Sequence, residues 1–266
     1  MFEEKSGYPI YEISHKYVET PDASSYSRHM HNCCELLLFV RGDANYNIDG
    51  ILYQPNPYDL LIIPRATYHY FIPVSPLPYE NYVLDFDSFI MAPQHAEKLF
   101  ARPVIINIKD DKEFCRYFKR LDFYHETYSR EDFTVCADAL LRELLVFCSY
   151  RMDQSVILEP ERPPLVDTVL RLISDNLECR LDADFLAEEL RLSKSYIQNM
   201  FSHSMHIGLK QYIMQKKVFA AHSDMMNGMS ASAASAKYAF TDYSVFFRLY
   251  KKYLGYPPRQ TKNQIS

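Results

Sequence analysis

The stretch HMHNCCELLLFVRG, His29 to Gly42, places two imidazoles, two thiols and a carboxylate within seven residues. On a strand, His29 and His31 stand two residues apart and face the same side. Imidazoles and a carboxylate on one face can ligate a metal or hydrogen-bond a polar ligand. Catalysis asks for more. The chain has no Gly-rich phosphate loop, no G-x-S-x-G and no second acid–base pair at readable spacing. A binding site without turnover is the expectation.

The elements around this stretch read as β. ELLLFV, ANYNID, YDLLIIP, YHYFIP and ENYVLDF are short apolar runs rich in Val, Ile, Tyr and Phe, separated by RGD, DG, QPNP, PRAT and PVSPLP. Many short strands at even spacing predict a sandwich or small barrel over about residues 1–108. Asp49-Gly50 is a hairpin signal. The six cysteines form no CxxC pair and are expected as buried free thiols. The acidic N-terminus MFEEKSGYPIYE lacks the apolar core of a signal peptide, and no window of about 18 apolar residues exists, so a cytoplasmic chain without a membrane span is expected.

The period changes after residue 110. DDKEFCRYFKRLDFYHETYS and REDFTVCADALLRELLVFCSYRM carry apolar residues at helical spacing. These helices, about 110–152, cap the β domain or present a partner face; a homodimer with Leu140, Leu141, Leu144 and Leu145 in its interface is the expectation. The domain would thus span 1–154, with a stiff Pro-rich linker over 155–164. Charge divides at the same place. Residues 1–164 carry 16 Lys+Arg against 25 Asp+Glu, net −9; residues 165–266 carry 13 against 9, net +4. A basic second domain, 165–266, is suited to a polyanion.

LDADFLAEELRLSKSYIQNMFSH (181–203) reads as two helices joined by a tight turn, with Ser193 in an N-cap position and Ile197, Met200 and Phe201 facing inward. The pattern returns about 49 residues later in SASAASAKYAFTDYSVFFRLYKKYLGYPP, with an Asp242 cap and Val245, Phe246, Leu249 and Tyr250 inward. GLKQYIMQKKVFAAHSDMM can form a rigid helix between the two units. Two such modules can present helices to successive major grooves, about 34 Å apart.

Over 165–258 the chain resembles the double helix-turn-helix domain of AraC-type transcription regulators, on LAEEL-x-LSxSYI…MF, AF-T-D-x-S-x-F…YKKYLG and the closing PP. The resemblance implies a sequence-specific protein for double-stranded DNA, with RNA polymerase as a further partner. Carried over, base-facing residues would be Ser195, Gln198 and Asn199, then Tyr243, Ser244, Phe247 and Arg248. Gln198 and Asn199 can pair with adenine edges and Arg248 with guanine, while Tyr243 and Phe247 can touch thymine methyls. Lys194, Lys251 and Lys252 suit phosphate contacts. A core position is the other reading of Phe247. Arg191, His206 and Ala239 stand where glycines are usual; positive φ there would add strain of about 1 kcal/mol each. Ala231, Ala234 and Ser235 form a helix of small residues, so a looser second module and modest DNA affinity are expected.

The opening stretch also resembles the first motif of cupin barrels, His29-x-His31-xxx-Glu35-xxxxxx-Gly42, and Pro64 with His69 resembles the second; Tyr58, Ala66 and Pro73 replace its usual Gly, Gly and Asn. The resemblance fills four ligand positions, His29, His31, Glu35 and His69. Three imidazoles and a carboxylate suit a divalent transition metal, Zn, Fe, Mn, Ni or Cu. The same pattern occurs in sensor domains of AraC-type proteins, where it can instead support the barrel or bond an effector. Tyr46, Tyr53, Tyr58, Tyr68, Tyr70 and Tyr82 are aromatic candidates for stacking on a sugar or for sheet packing. The expected fold is α+β in two domains: an N-terminal cupin-like β-barrel with two dimerisation helices, and a C-terminal all-α double helix-turn-helix. The expected function is a ligand-responsive regulator sensing a small molecule, with a carbohydrate in view. The alternative is a metal-dependent cupin enzyme or metal sensor fused to a DNA-binding domain.

Overall fold

A computed structural model describes residues 1–5, 10–22, 25–26, 28–152 and 163–264. The chain divides into two compact units, one built on most of the strand region and the first three helices, the other on the remaining helices, with which the short segments Met30–Asn32 and Asp49–Ile51 group.

In the first unit the strands are β1 (Phe2–Lys5), β2 (Ile10–Val18), β3 (Cys34–Arg41), β4 (Ala44–Ile48), β5 (Ile51–Tyr53), β6 (Asp59–Ile63), β7 (His69–Pro73), β8 (Tyr79–Phe86) and β9 (Val104–Asn107). They form a six-stranded sheet, order β1-β2-β8-β3-β6-β9, and a three-stranded sheet, order β5-β4-β7. Asp49 and Gly50 turn the chain between β4 and β5, both at positive φ. Two-residue hairpin turns of the favoured hand require that.

The large sheet is buried on both faces, and alternation along each strand sorts its side chains. Leu36, Leu38, Leu60 and Ile62 face a core shared with the helices. Leu37, Phe39, Leu61 and Ile63 face a second core with Tyr46 and Ile48 of the small sheet. Burial on both sides explains why ELLLFV and DLLII are unbroken apolar runs and not alternating ones. The expected cupin-like β domain is therefore present as two sheets around a shared core.

Helices α1 (Pro93–Leu99), α2 (Lys112–Thr127) and α3 (Arg130–Arg151) complete the unit. Asp111 caps α2 and Ser129 caps α3 through their side chains. Here the structure corrects the expected dimer interface. Leu140, Leu141, Leu144 and Leu145 of α3 are buried in the core between helices and sheet, with Phe114, Phe118 and Leu121 of α2. A sheet face needs a cover, and this leucine stripe provides it. The cysteines also depart from expectation: Cys33, Cys34 and Cys148 are buried, Cys115 and Cys136 are partly exposed, and Cys179 is exposed. The linker expected at 155–164 lies outside the described residues except for Pro163 and Pro164, which start the next helix.

The second unit holds α4 (Pro164–Asp175), α5 (Ala183–Leu190), α6 (Lys194–Met205), α7 (Leu209–Met226), α8 (Ala231–Lys237) and α9 (Tyr243–Leu254). Every helix from α5 to α9 except α7 starts on a side-chain cap, from Asp182, Ser193, Ser230 and Asp242. Such caps satisfy the free N–H groups of a first turn and are each worth about 1 kcal/mol. Among the described residues no helix is long and apolar enough to cross a membrane.

Candidate effector site and nucleic-acid interface

The histidine cluster is assembled by register. His29 and His69 form an isolated antiparallel bridge in which each backbone N–H donates to the other's carbonyl, at 3.2 and 2.9 Å. Their rings lie 4.4 Å apart. Glu35, first in the alternation that sends Leu37 and Phe39 inward, brings its carboxylate to 3.2 Å from His69 Nε2. Both Glu35 and His69 are buried. One ligand atom from each of His29, His31, Glu35 and His69 falls within 4.8 Å of the others. The structure thus brings together all four residues singled out in the sequence.

The orientation of His69 sets the chemistry. Its Nδ1 lies 2.9 Å from the Thr67 carbonyl, which can only accept, so Nδ1 carries a proton. Nε2 thus faces the Glu35 carboxyl group, and the two can share one proton or both turn to a metal ion. Backbone anchoring of the far nitrogen is the usual support of a metal-bound histidine. The donor set therefore fits a divalent transition metal, and it equally fits a ligand with hydroxyl groups.

A second group of ligand atoms, from His31, Cys33 and Asp85, shares His31 with the first. Sequence reasoning did not pick out Asp85. It pairs with Glu35 across β3 and β8, a register no local motif announces. The tyrosines divide. Tyr46 lies in the core between the sheets and its hydroxyl bonds that of Tyr79, which the sequence reading also passed over. Tyr82, in contrast, lies in the other core with Leu36 and Leu38, where it donates to Asp122 of α2. Tyr58 also packs against that helix-side core. These two do not belong with the inter-sheet aromatics: alternation along β8 sends Tyr82 to the other face, and the turn before β6 places Tyr58 there.

In the second unit α6 and α9 are each divided lengthwise. Ile197, Phe201 and Met205 of α6 are buried, while Lys194, Ser195, Gln198 and Asn199 are exposed. On α9, Phe246 and Tyr250 are buried, and Tyr243, Ser244, Phe247, Arg248, Lys251 and Lys252 are exposed. The core reading of Phe247 falls, since it is 39% exposed and Tyr243 is 45% exposed. Large aromatics left in solvent beside an arginine suit contact with bases. Lys194 is not free: its Nζ pairs with Asp184 at 2.8 Å.

Comparison with known proteins gives a consistent result. The family description "AraC-like ligand binding domain" matches residues 16–145, and "Helix-turn-helix domain" matches residues 186–264. The chain is an AraC-type transcription regulator. It is 27% identical over 101 residues to the Msm operon regulatory protein of Streptococcus mutans, a match covering 38% of this chain and 36% of that protein. It therefore spans only about a third of that relative. It is 21% identical over 248 residues to the "Uncharacterized HTH-type transcriptional regulator YdiP" of Escherichia coli K12, covering 89% of this chain and 81% of that one. Among solved structures, ToxT of Vibrio cholerae O395 aligns over 97% of this chain and 100% of that chain, at 12% identity and TM-score 0.43.

Against the AraC-type pattern, the positions of the replaced glycines keep the glycine conformation. Arg191, His206 and Ala239 have φ of 53°, 55° and 50°. Tyr58 and Ala66, at the two glycine positions of the cupin-like motif, have φ of 68° and 57°. The backbone of the fold is retained and the residues carry its strain. Tyr196 is a further surface aromatic of this regulator, 52% exposed on α6 beside Ser195. It was missed because SYI reads as part of the matched motif, where only its neighbours were assigned to bases.

Proposed function

We propose that this regulator reads a DNA duplex through α6 and α9, and that a small molecule held at His29, His31, Glu35 and His69 alters that reading. The observation that carries the DNA half is the lengthwise division of α6 and α9. Each buries one face and leaves Ser195, Gln198 and Asn199, or Tyr243, Ser244, Phe247 and Arg248, in solvent. Lys251 and Lys252 supply phosphate contacts; Lys194 does so after exchanging Asp184 for a phosphate. The effector needs only to bind one arrangement of the regulator better than another. A carbohydrate suits the cluster, because hydroxyl groups can bond imidazoles and carboxylate while a ring face meets aromatics. The reading involves no turnover, and it places the protein in the cytoplasm with DNA and RNA polymerase.

Selection of duplexes from a random pool tests the first half. Enriched sequences should bind in a salt-dependent manner, and Gln198→Ala should relax the selected sequence. Recovery of no sequence preference would sink it. Screening sugars for a shift in that binding, in the parent and in His69→Ala, tests the second half.

The orientation of His69 favours a second reading, in which the effector is a divalent metal or is bridged by one. Metal content of protein purified without chelator or affinity-tag metal, beside His31→Ala, separates the two. Near-stoichiometric metal in the parent alone supports the metal reading. A homodimer is also part of the proposal, with a revised face. If α3 contributes, it does so through its outer residues Val135, Val146 and Tyr150, which are exposed. Equilibrium sedimentation of Val135→Asp against the parent tests this.

A further inference from the structure

Four of the sixteen basic residues in the acidic segment 1–164 line one cavity: Lys109, Lys112, Arg116 and Lys119. Lys112, Arg116 and Lys119 fall at i, i+4 and i+7 of α2, which sets them on one face. Lys109 precedes the helix, between β9 and the Asp111 cap. The cavity measures about 570 Å³, and Tyr58, Cys115 and Asp110 complete its lining. That volume lies within the range of small-molecule pockets, about 300–1,000 Å³.

The charge here is only partly compensated. Arg116 bonds Glu113 at 2.6 Å, but among the described residues no carboxylate pairs with Lys109, Lys112 or Lys119. Asp110 is the one acid in the lining. Asp111, next in sequence, is taken up by Arg151 and by the first turn of α2. Cys115 adds no negative charge at neutral pH, because burial pushes its thiol pKa up against the opposing pull of Lys119. Unpaired like charges repel one another, and a concave arrangement of one sign focuses the field onto whatever enters. Such a surface inside an otherwise acidic unit is suited to a compact, highly charged anion.

We propose that this cavity binds a phosphorylated small molecule. Lysines and an arginine are the side chains that hold phosphate oxygens, the former as point charges and the latter through its planar fork. Tyr58, held at positive φ against the helix-side core, offers an aromatic wall for the rest of the ligand. The site shares no residue with the histidine cluster, so it stands or falls independently of the effector reading above. An acidic protein segment is the competing occupant. The cavity's volume and the aromatic wall favour the small ligand.

The test uses calorimetry on the full chain at low salt with three probes: inorganic tripolyphosphate, a nucleoside diphosphate and poly-glutamate. One equivalent of tripolyphosphate or nucleotide should bind. The double variant Lys112→Glu with Lys119→Glu should weaken binding at least tenfold, and Lys98→Glu, outside the lining, less than threefold. The same ligand should slow alkylation of Cys115 in the parent, read by mass spectrometry, which locates the site without any substitution. Three results would overturn the proposal: no binding of either phosphate probe, binding lost in Lys251→Glu with Lys252→Glu but kept in the cavity variant, or binding of poly-glutamate alone.

Discussion

The two helix-turn-helix modules are closed by different means. Between α5 and α6 the contact is apolar: Leu186, Ile197, Phe201 and Met205 are fully buried, and Phe201 meets Tyr212 of α7 edge-on at 5.3 Å. Helix α8 brings little apolar bulk, with only Ala234 and Ser235 buried along its length. Polar bonds hold it instead. Lys217 of α7, almost wholly buried, donates to the carbonyl of Cys179 at 2.6 Å and to that of Tyr238 at 3.0 Å. Asp224 accepts from Lys237 and from the Tyr238 hydroxyl, each at 2.8 Å. Tyr250 of α9 joins His222 and Thr261, at 2.6 and 2.5 Å. Small residues let the helices approach, and directional bonds replace the missing burial. Apolar closure loses strength gradually when trimmed; a polar latch fails when one member is removed.

The largest expected effect breaks this comparison at the DNA. The apolar module should be the firmer reader. Gln198→Ala with Asn199→Ala should abolish specific binding, by about a hundredfold or more, since each good base contact is worth about 1–3 kcal/mol. Arg248→Ala should reduce binding by about tenfold and leave a sequence preference. A gel-shift series on a selected duplex checks the order. Arg248→Ala as the more damaging change would reverse the ranking of the modules.

Next comes the latch itself. Lys217→Met keeps the unbranched apolar stem of the side chain but leaves two carbonyls without their donor. Loss of hydrogen bonds to a charged group in a buried position should cost about 2 kcal/mol or more. Urea unfolding of parent and variant would show it. A loss under about 0.5 kcal/mol would mean that the lysine only fills space and that the second module is held by its aromatic contacts, Phe240 to Phe246 and Phe246 to Tyr250.

What could be read from the sequence follows the same divide between apolar pattern and polar partner. The caps at Ser193 and Asp242, the inward faces of α6 and α9 and the strands from ELLLFV to ENYVLDF rest on periodicity and local chemistry, and those are legible. Lys217 and His222 were invisible, because a basic residue in a helix reads as solvated until its partners, remote in sequence, are known. The leucine stripe of α3 shows the converse. Its amphipathic pattern announces a buried face but not what covers it, so a core contact and a subunit contact look alike. In the histidine cluster the ligand types were readable, whereas Asp85 and the Thr67 bond that orients His69 depend on strand register and backbone position.

Both modules share one feature that should respond alike and so sharpen the comparison. Arg191 and His206 flank α6 in the first, and Ala239 sits in the turn of the second, all at positive φ. Replacing each by glycine relieves about 1 kcal/mol of backbone strain. The melting temperature should rise by a few degrees per site. The gain should be similar for Arg191→Gly and Ala239→Gly if strain alone is involved. A fall in stability at Ala239→Gly, beside a rise at Arg191→Gly, would mean that the Ala239 side chain is itself part of the polar module.

The smallest effect contrasts the lysine latch with its counterpart in the first unit, a histidine held between two carboxylates. His15 on β2 sets Nδ1 at 2.7 Å from Asp122 of α2 and Nε2 at 3.0 Å from Glu80 of β8, while its ring stacks on Tyr82 at 3.9 Å. Arg41 shares Glu80 at 2.7 Å, and Tyr82 shares Asp122. Burial works to lower the pKa of His15, but the hydrogen bonds to Asp122 and Glu80 outweigh it and the pKa is raised above the usual 6.5. A group whose folded pKa is raised contributes fully below its unfolded pKa and loses that contribution as pH rises through the folded value. The first unit should therefore weaken by about 1 kcal/mol from slightly acidic to alkaline pH, the value of one charge-assisted bond lost when the imidazole keeps a single proton. His15→Gln, which cannot gain the second proton, should remove that part of the slope in urea unfolding followed from pH 5.5 to 8.5. An identical slope in parent and variant would place the titration elsewhere and leave His15 as a neutral packing group under Tyr82.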